Sequence, residues 1–498
     1  MKLAKLIEQA GIGGIEAGDV TVTGFAIDHR KIAPGNVFGA FQGAQFNAED
    51  FIPAAIEAGA VAVVARHEAK VEGALHIADE NPRRTFARLA AQFFTPVPKT
   101  IVAVTGTNGK TSTVEMTRQI WRMCGERAAS IGTLGVTTPD ESVSTGLTTP
   151  DIVTFLSNMS GLAREGVTHV AYEASSHGLS QYRNEGLPVT ACAFTNFSRD
   201  HLDYHGTMED YFAAKMRLFD EVVEPGAPAI IYCGGENSEW TRRAIEHAQG
   251  FSGSRQLRVL TVGERGDFLR LAAREATQLG QVLTIEHEGE CATVKLPLIG
   301  EYQAANALVA AGLALVTGAE RSQVFDAVAR LQPVRGRLER AVISASGAPV
   351  YVDYAHTPDA LEAAIIALRP HVDEARGGKL TVVFGAGGDR DIGKRKTMGE
   401  VASRVADRVI VTDDNPRGED PAAIRADVLS GAGDNAVETG DRREAIAAAI
   451  RQAGAHDIIL IAGKGHEEGQ IIGSGENMRV LPFNDVTVAR ECAAEIKA

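Results

Sequence analysis

A glycine-containing stretch carries residues that could hold a nucleoside triphosphate. The segment IVAVTGTNGKTS, residues 101–112, joins an apolar run to the sequence Gly109-Lys110-Thr111. Backbone amides of such a turn bind phosphate oxygens, while Lys110 can reach the β- and γ-phosphates and Thr111 can ligate Mg2+. The common motif needs a glycine where Val104 stands, so this is a shortened phosphate loop. The alternative is an ordinary strand-to-helix turn with a surface lysine.

Polar residues after two further apolar runs could bind a metal ion. In FTNFSRDHLDYHG, residues 194–206, four potential ligands fall within six positions: Asp200, His201, Asp203 and His205. This spacing matches no standard zinc site, and a charge cluster at a helix start is the alternative. Glu173, at the end of the run HVAYE, is a candidate acidic ligand for the Mg2+ of a bound nucleotide. One acid after a strand is weak evidence without the phosphate loop.

Two motifs near the C-terminus bear on the kind of enzyme. The segment GAGGDRD, residues 385–391, has Arg390 where the last glycine of a dinucleotide-binding G-x-G-x-x-G loop belongs, which disfavours hydride transfer. The segment DDNPRG, residues 413–418, could be only a turn, since Asn-Pro and a following Gly favour turns. Arg417 at the tip of a rigid turn could also bind a carboxylate through two parallel hydrogen bonds.

Alternating apolar strands and amphipathic helices predict an α/β scaffold for these motifs. The prolines of TPVPKT, residues 95–100, indicate a connector, and LQPVRGRLER, residues 331–340, indicates a second break. We therefore predict three domains, at residues 1–97, 98–332 and 333–498. The central domain carries the phosphate loop on a mostly parallel sheet, and the last has the pattern of a doubly wound sheet.

The strands of the last domain each end in a motif residue. Asp353, Gly385, Asp414 and Gly463 all follow predicted strands. In doubly wound sheets ligands bind at the carboxyl ends of the strands. We therefore expect these four residues to border one crevice.

Composition and charge exclude several classes of partner. The 498 residues carry a formal net charge of −14, which opposes a general affinity for nucleic acid or anionic membrane. Five scattered cysteines form no C-x-x-C pair, so they indicate neither a zinc site nor a disulfide framework and favour a reducing compartment. Without a secretory leader or an apolar run of membrane length, we expect a cytoplasmic protein with no membrane insertion.

Taken in order, motifs along nearly the whole chain resemble those of the Mur ligase family. They are GTNGKT, TTPD, EASSHGL, TNFSRDHLDYHG, YFAAK, EYQAANALVA, GRLE, DYAHTPD, GGDRDIGKR, DNPR and GKGHE. The shortened phosphate loop resembles that family's own. The resemblance implies a UDP-binding N-terminal domain, a central ATPase and a Rossmann-like C-terminal domain that binds an amino acid.

The resemblance also implies a reaction. DNPR with GKGHE fits a ligase that adds meso-diaminopimelate to UDP-N-acetylmuramoyl-L-alanyl-D-glutamate in peptidoglycan precursor synthesis. In the implied mechanism, ATP phosphorylates the D-glutamyl carboxylate and the diaminopimelate amine attacks the acyl phosphate. A lysine-adding sibling, a folylpolyglutamate synthase-like ligase and a catalytically silent nucleotide-binding scaffold are the alternatives. The silent scaffold predicts loss of Lys110, His201 or Lys215, and all three are present.

Roles at the nucleotide and metal sites follow from the same resemblance. Lys110 would stabilise the transferring phosphoryl group, Thr111 and Glu173 would hold one Mg2+, and His201 with Glu173 would hold a second. Lys215 would be carbamylated and would add an anionic ligand, whereas spacing alone favours a solvated helix lysine. The implied ATP site comprises Gly106, Thr107, Asn108, Gly109, Lys110, Thr111, Asn306, Arg337 and Asp353.

The resemblance implies two further pockets. The path of the UDP-muramoyl dipeptide would be lined by Asp28, Arg30, Thr148, Thr149, Ser175, Gln181 and Arg183. The diaminopimelate pocket would comprise Arg390, Asp414, Asn415, Pro416, Arg417, Gly463 and Glu467. Arg417 would pair with the distal carboxylate of diaminopimelate, which lysine lacks, so bound lysine would leave a buried guanidinium unpaired.

The N-terminal uridine motif departs from the family pattern. Where the family usually has Asp-Ser-Arg, this chain has Asp28-His29-Arg30. The following GAQFNAEDF, residues 43–51, lacks the usual Asp-Gly pair. Both departures concern the UDP pocket and leave the ATP and diaminopimelate motifs intact. We expect a monomer whose partners are small-molecule substrates.

Overall fold

The computed structural model describes residues 1–43, 47–143, 148–234, 239–250, 256–277, 279–389 and 391–496. The chain forms two compact units, Met1–Arg270 with Leu308–Val324, and Leu271–Ala307 with Phe325–Ala498. The predicted α/β class with mostly parallel sheets is confirmed. The domain boundaries at 97/98 and 332/333 stay predictions. Among the described helices, none is long and apolar enough to span a membrane.

The N-terminal segment of the first unit forms a small parallel sheet. Its strands pair in chain order: β1 (Gly24–Ala26), β2 (Asn36–Gly39), β3 (Ala62–Ala65) and β4 (Leu75–Ala78). Its helices are α1 (Leu3–Gln9), α2 (Ile52–Glu57) and α3 (Pro82–Phe93). Phe86 of α3 packs against Phe25 and Phe41, with ring centroids 5.4 and 5.5 Å apart. These edge-to-face contacts hold α3 on the sheet.

The phosphate loop follows a central strand of the next sheet. Within the first unit its strands are β5 (Thr100–Thr105), β6 (Ala128–Gly132), β7 (Gly135–Thr137), β8 (Ser142–Val143), β9 (His169–Glu173), β10 (Ala191–Phe194), β11 (Pro228–Tyr232) and β12 (Arg258–Gly263). Their order is β12-β11-β10-β5-β9-β6-β7-β8, and every pair is parallel except the two that involve β7. β5 is buried along almost its whole length, as expected for a central parallel strand.

Six helices of the described part connect these strands. They are α4 (Lys110–Met123), α5 (Ile152–Arg164), α6 (Ser176–Ser180), α7 (Leu202–His205), α8 (Met208–Arg217) and α9 (Glu239–Ala248). Asp151 accepts the amides of residues 153 and 154 at the start of α5, and Thr207 accepts that of residue 210 at the start of α8. Side-chain caps of this kind fix where a helix begins.

Residues 269–328 add an antiparallel hairpin and two helices. The elements are β13 (Leu269–Thr277), β14 (Gly280–His287), β15 (Glu290–Leu296), α10 (Glu301–Val316) and α11 (Arg321–Val328). β14 and β15 pair antiparallel from Gln281 opposite Leu296 to His287 opposite Glu290.

The last sheet has the predicted doubly wound form. Its strands are β16 (Glu339–Ile343), β17 (Pro349–Asp353), β18 (Leu380–Phe384), β19 (Arg408–Val411), β20 (Ala436–Glu438) and β21 (Ile458–Ala462), ordered β16-β17-β21-β18-β19-β20 with only β16 antiparallel. Its helices are α12 (Pro358–Leu368), α13 (Gly393–Val405), α14 (Pro421–Leu429), α15 (Arg442–Gln452) and α16 (Asp485–Glu495). A hairpin of β22 (Gly469–Ile472) and β23 (Arg479–Pro482) precedes α16.

The carboxyl ends of these strands meet as predicted. The Gly463 amide donates to the Asp353 carbonyl at 3.1 Å. A Cβ at Gly463, where φ is 117°, would lie 2.5 Å from Asp414 Oδ2 and 3.9 Å from the Gly385 carbonyl oxygen. Only glycine fits so close an approach in this conformation. These four residues therefore lie together at the carboxyl ends of the strands, as predicted, and the ligand crevice itself stays a prediction.

Candidate active site

The phosphate loop between β5 and α4 is shaped by two glycines and by the chain after β10. Gly106 and Gly109 have φ of 141° and 83°, which residues with side chains rarely adopt. The Thr195 hydroxyl donates to the Asn108 carbonyl at 2.6 Å, and the Asn196 side chain accepts the Asn108 amide at 2.9 Å. Gly109 brings no side-chain cap to α4, so the first amides of the helix can bind phosphate.

Two lysines meet at one carbonyl of this loop. Lys110 Nζ lies 3.0 Å from the Gly106 carbonyl oxygen, and Lys215 Nζ lies 2.7 Å from the same oxygen. Lys215 is only 1% exposed. Burial, reinforced by the neighbouring Lys110 ammonium, holds the pKa of Lys215 well below its usual value. The alternative of a solvated helix lysine is therefore wrong for Lys215.

Tyr211 links this lysine to the phosphate loop. It lies one helical turn before Lys215 on α8, and its ring centroid is 4.4 Å from Lys215 Nζ. Its hydroxyl donates to Thr107 Oγ1 at 3.2 Å. Sequence reasoning misses Tyr211, although the i, i+4 spacing in YFAAK is a signal that the two side chains share a face.

Thr133 joins the two candidate ligands of the first Mg2+. Its amide and hydroxyl donate to the Glu173 carboxylate at 2.7 and 3.2 Å, and the Thr111 hydroxyl donates to Thr133 Oγ1 at 3.4 Å. Glu173 is 2% exposed. Hydroxyl and carboxylate oxygens are donors that Mg2+ prefers, and substrate phosphates usually complete its shell. The donor set fits Mg2+ that arrives with a nucleotide. Thr133 is not found from the sequence; its place directly after β6 is the signal.

A methyl group at Gly132 should disturb this arrangement selectively. A Cβ there would overlap the Glu173 carboxylate and lie 2.7 Å from its Cγ, so the side chain must move. Because the displaced atoms end a flexible side chain, we expect Gly132→Ala to leave the melting temperature nearly unchanged. The Mg2+ concentration for half-maximal ATP turnover should rise about tenfold, as for the loss of a metal-orienting contact. A Mg2+ titration of both proteins measures this, with Gly161→Ala, where a Cβ meets no atom within 4 Å, as control. An unchanged Mg2+ requirement in Gly132→Ala would contradict the role of Glu173.

The acidic and histidine segment after β10 begins a helix. His201 is the N-cap of α7 with φ of 52°, and its Nε2 lies 3.5 Å from Asp200 Oδ2. Its ring centroid lies 4.8 Å from that of His177. The side chain of Asp203 lies outside the described part. In that described part, no group of three or more His, Cys, Asp or Glu has the arrangement of a metal site. The role of His201 as a ligand stays a prediction.

Five of the seven candidates for the UDP-muramoyl dipeptide path lie near Glu173. Thr149 Oγ1 lies 2.9 Å from Ser175 Oγ and donates to the Glu173 carbonyl at 3.1 Å. Arg183 donates to the Thr149 carbonyl at 2.9 Å and to Gln181 Oε1 at 2.6 Å. Thr148 Oγ1 lies 3.1 Å from Thr133 Oγ1. These polar groups form one connected hydrogen-bond network.

The other two candidates, Asp28 and Arg30, pair with each other. Arg30 donates to Asp28 at 2.8 and 2.9 Å, and this side-chain hydrogen bond lowers the pKa of Asp28 to about 2. Among the described residues, no hydrogen bond or ion pair joins these two to the other five. His29 stacks on Phe51 with centroids 4.3 Å apart and ring planes 1° apart. The departure at His29 therefore gives the N-terminal segment a stacked ring pair in place of a small hydroxyl.

The remaining nucleotide candidates lie in the second unit. Asn306 Nδ2 donates to Gln303 Oε1 at 3.3 Å, and Gln303 Nε2 donates to the Arg337 carbonyl at 3.1 Å. Asp353 accepts two backbone amides at 2.7 and 2.9 Å, and burial raises its pKa. One of these amides belongs to residue 338, so the structure brings all three candidates, Asn306, Arg337 and Asp353, together.

The candidate diaminopimelate pocket is also in the second unit. Asn415 Nδ2 donates to Glu467 Oε2 at 2.9 Å. Arg417 has φ of 51° and donates through Nη1 to the Gly388 carbonyl at 2.9 Å. Burial raises the pKa of Asp414, which precedes Asn415. Pro416 is buried between Asn415 and Arg417. Arg390 lies outside the described residues.

A phosphate loop on a parallel sheet, with a second unit of doubly wound form, defines a nucleotide-dependent phosphoryl-transfer enzyme of the α/β class. The family model for the Mur ligase middle domain matches residues 104–314, and that for the Mur ligase glutamate ligase domain matches residues 336–465. The chain belongs to the Mur ligase family.

Relatives match along nearly the whole chain. It is 59% identical to a UDP-N-acetylmuramoyl-L-alanyl-D-glutamate–2,6-diaminopimelate ligase from Zymomonas mobilis, over 95% of both chains. It is 50% identical to a protein of the same name from Bradyrhizobium diazoefficiens, over 97% of both chains. A solved structure of a ligase with this name superposes with a TM-score of 0.75 at 33% identity, covering 99% of each chain. A folylpolyglutamate synthase from Mycobacterium tuberculosis solved with ADP shares the fold alone, with a TM-score of 0.60, 20% identity and coverage of 76% of this chain and 91% of its own.

Proposed function

We propose that this chain is an ATP-dependent ligase that joins meso-diaminopimelate to UDP-N-acetylmuramoyl-L-alanyl-D-glutamate. The observation that carries the proposal is the 59% identity, over 95% of both chains, to a ligase of that name. The similarity spans the phosphate loop and the DNPR and GKGHE motifs. The product would be a precursor of peptidoglycan.

The first half of the reaction activates a carboxylate. A free carboxylate is a poor acyl donor, because oxide is a poor leaving group, whereas phosphate is a good one. An oxygen of the D-glutamyl carboxylate attacks the γ-phosphorus of ATP, the bond to the bridging oxygen breaks, and ADP leaves. Lys110, 2.8 Å from the Thr107 carbonyl, and the amides at the start of α4 stabilise the negative charge of the transferring group.

Hard oxygen donors at this site suit Mg2+. Thr111 and Glu173 would hold one ion, and His201, Glu173 and a carbamate on Lys215 would hold a second. Bound Mg2+ supplies charge neutralisation to the phosphate oxygens. Thr133 keeps the Glu173 carboxylate in place through two hydrogen bonds. Burial lowers the pKa of Lys215 and so favours its neutral amine, which is the form that combines with carbon dioxide.

The second half of the reaction forms an amide bond. The neutral amine of diaminopimelate attacks the acyl carbonyl carbon, the bond to the phosphate oxygen breaks, and the amine proton is released. Arg417 pairs with the distal carboxylate of diaminopimelate. Asn415 and Glu467 form the neighbouring part of the pocket that binds this amino acid. Lysine has no distal carboxylate, so its binding would cost the desolvation of an unpaired guanidinium.

Charge and composition bear on the compartment and on the substrates of the protein. A net charge of −14 and scattered cysteines suit a monomer in a reducing cytoplasm that acts on small molecules. The anionic substrates would be bound by local arginines, lysines and helix amides rather than by the overall field of the protein.

A ligation assay tests the proposal. Purified protein receives ATP, Mg2+ and UDP-N-acetylmuramoyl-L-alanyl-D-glutamate with either meso-diaminopimelate or L-lysine, and product masses are determined by mass spectrometry. We expect a product with diaminopimelate alone. A lysine adduct would keep the family and overturn the specificity, while no product with either would overturn the proposed substrate pair.

A further inference from the structure

Lys464 is a fully buried lysine in the wall of the candidate amino-acid pocket. It lies in the GKGHE motif between Gly463 and Glu467, and its side chain is 0% exposed. Removing an ammonium group from water is costly unless it is paired and hydrogen-bonded. The surrounding groups therefore reveal what Lys464 does.

Three acceptors surround the ammonium group of Lys464. Its Nζ donates to Asn415 Oδ1 at 2.9 Å and to Glu467 Oε2 at 3.1 Å, and Asp414 Oδ1 lies 3.9 Å away. Asn415 also donates to the same Glu467 oxygen at 2.9 Å. Lys464, Asn415 and Glu467 thus close a triangle of hydrogen bonds in which each member fixes the other two. Glu467 Oε2 is engaged twice, which leaves Oε1 of this one-third exposed carboxylate for a ligand.

The triangle also sets the loop that carries Arg417. Asn415 Oδ1 accepts the Ile471 amide at 2.9 Å, so Lys464 and β22 share one acceptor. The Arg417 amide donates to the Ile471 carbonyl at 3.1 Å, and the Gly473 amide donates to the Arg417 carbonyl at 2.7 Å. A rotation of the Asn415 side chain would therefore disturb the backbone on both sides of the unusual φ at Arg417.

A second buried cation, Arg442, contacts the strand ends that lead into the loops of Asn415 and Lys464. Arg442 and Asp485 form an ion pair with both side chains 0% exposed, joined at 2.7 and 2.8 Å. Arg442 also donates to the carbonyls of Asp413 and Ala462 at 3.3 and 3.0 Å. These carbonyls immediately precede Asp414 and Gly463. Arg442 therefore holds the strand ends, whereas Lys464 contacts the side chains that would meet the ligand.

We propose that Lys464 is a positioning residue for amino-acid recognition. It holds Glu467 and Asn415 in the orientation that binds diaminopimelate, and it keeps the loop that carries Arg417 in place. This inference rests on the proposed function. Lys464 touches no reacting atom, so its loss should weaken binding of the amino acid and leave the use of ATP intact.

The test is a double-mutant cycle on the full-length enzyme. Lys464→Met keeps the length of the side chain without its charge, and Glu467→Gln removes the partner charge. We expect Lys464→Met to raise the KM for diaminopimelate at least about tenfold while the KM for ATP changes less than about twofold. In the Glu467→Gln background the same change should alter the KM for diaminopimelate by less than about threefold, because the ion pair is already removed and only the contact of Lys464 with Asn415 is left to lose. Lys396→Met, at a side chain 65% exposed, is the matched control and should change neither constant.

The outcomes separate the two proposals. No wild-type product from diaminopimelate would overturn the proposed function. Wild-type turnover together with an unchanged KM in Lys464→Met, or an equal effect in both backgrounds, would overturn the role of Lys464 alone. Equal rises in the KM for ATP and for diaminopimelate would also overturn it, because they indicate general damage. If Lys464→Met is unfolded at the assay temperature, Lys464→Gln, which keeps one donor, replaces it with the same criteria.

Discussion

Lys215→Met should lower kcat for ligation by at least about 10³-fold, equivalent to about 4 kcal/mol of transition-state stabilisation. Methionine matches the length of the lysine stem and suits a site that is 1% exposed, so the fold should survive. What is lost is the amine nitrogen 2.7 Å from the Gly106 carbonyl, beside the phosphate loop.

The physical reason is the state of that amine. Burial and the nearby Lys110 hold the pKa of Lys215 well below its usual value, which favours the neutral amine. The neutral form of the amine, which this shift favours, combines with carbon dioxide to give a carbamate and release a proton. The carbamate would bring a negative charge beside Lys110 and serve as an oxygen ligand for Mg2+.

Two measurements check this expectation. Single-turnover and steady-state ligation rates give the loss in kcat, and ¹³C NMR in labelled bicarbonate should show a carbamate signal in the wild type that is missing in Lys215→Met. Lys5→Met, at an exposed position of α1, is the control and should behave as the wild type. Retention of kcat within tenfold by Lys215→Met, or a spectrum identical to that of the wild type, would refute the role of Lys215.

Arg417→Ala should lower kcat/KM for diaminopimelate by about 10²- to 10³-fold, equivalent to about 3–4 kcal/mol. The substituted guanidinium is half-buried and held by the Gly388 carbonyl at 2.9 Å. Its loss would leave the distal carboxylate of the substrate desolvated without a partner, which is the costly half of a broken charged hydrogen bond.

The KM for ATP and the activity of a conservative variant distinguish a loss of amino-acid recognition in Arg417→Ala from misfolding. The KM for ATP should stay within about twofold of the wild type, because Arg417 would act only on the amino acid. Arg417→Lys should recover part of the activity, since it keeps the charge without the planar fork. Arg376→Ala, at a side chain 71% exposed in the same unit, is the control. Equal losses for ATP and diaminopimelate would contradict the assignment of Arg417.

Much of the scaffold could be predicted from the chain because local signals agree with the fold. Apolar runs such as residues 101–105 and 458–462 are buried parallel strands, and their ends carry the predicted motifs. Gly109 and Gly463 stand where the backbone needs positive φ or close approach, so glycine placement points to the loops. The shortened phosphate loop was recognisable for the same reason.

The parts that could not be predicted depend on neighbours distant in sequence. Lys215 is solvated on spacing alone, and its burial arises because α8 packs Tyr211 and Lys215 onto residues 106 and 107 of the phosphate loop. Thr133 matters because β6 and β9 are adjacent, which brings its hydroxyl to Glu173. Lys464 is polar by type, and only the folded loops show that it is enclosed.

Transfer of oxygen from substrate to phosphate tests the proposed reaction most directly. The protein would be given ATP, Mg2+, diaminopimelate and UDP-N-acetylmuramoyl-L-alanyl-D-glutamate labelled with ¹⁸O in the reacting D-glutamyl carboxylate, and the tripeptide and the released phosphate would be weighed by mass spectrometry. An acyl-phosphate ligase yields the diaminopimelate adduct and one ¹⁸O in each phosphate, since the attacking carboxylate oxygen leaves with phosphorus. Adduct with unlabelled phosphate would contradict the acyl phosphate, and labelled phosphate without the diaminopimelate adduct would contradict the acceptor.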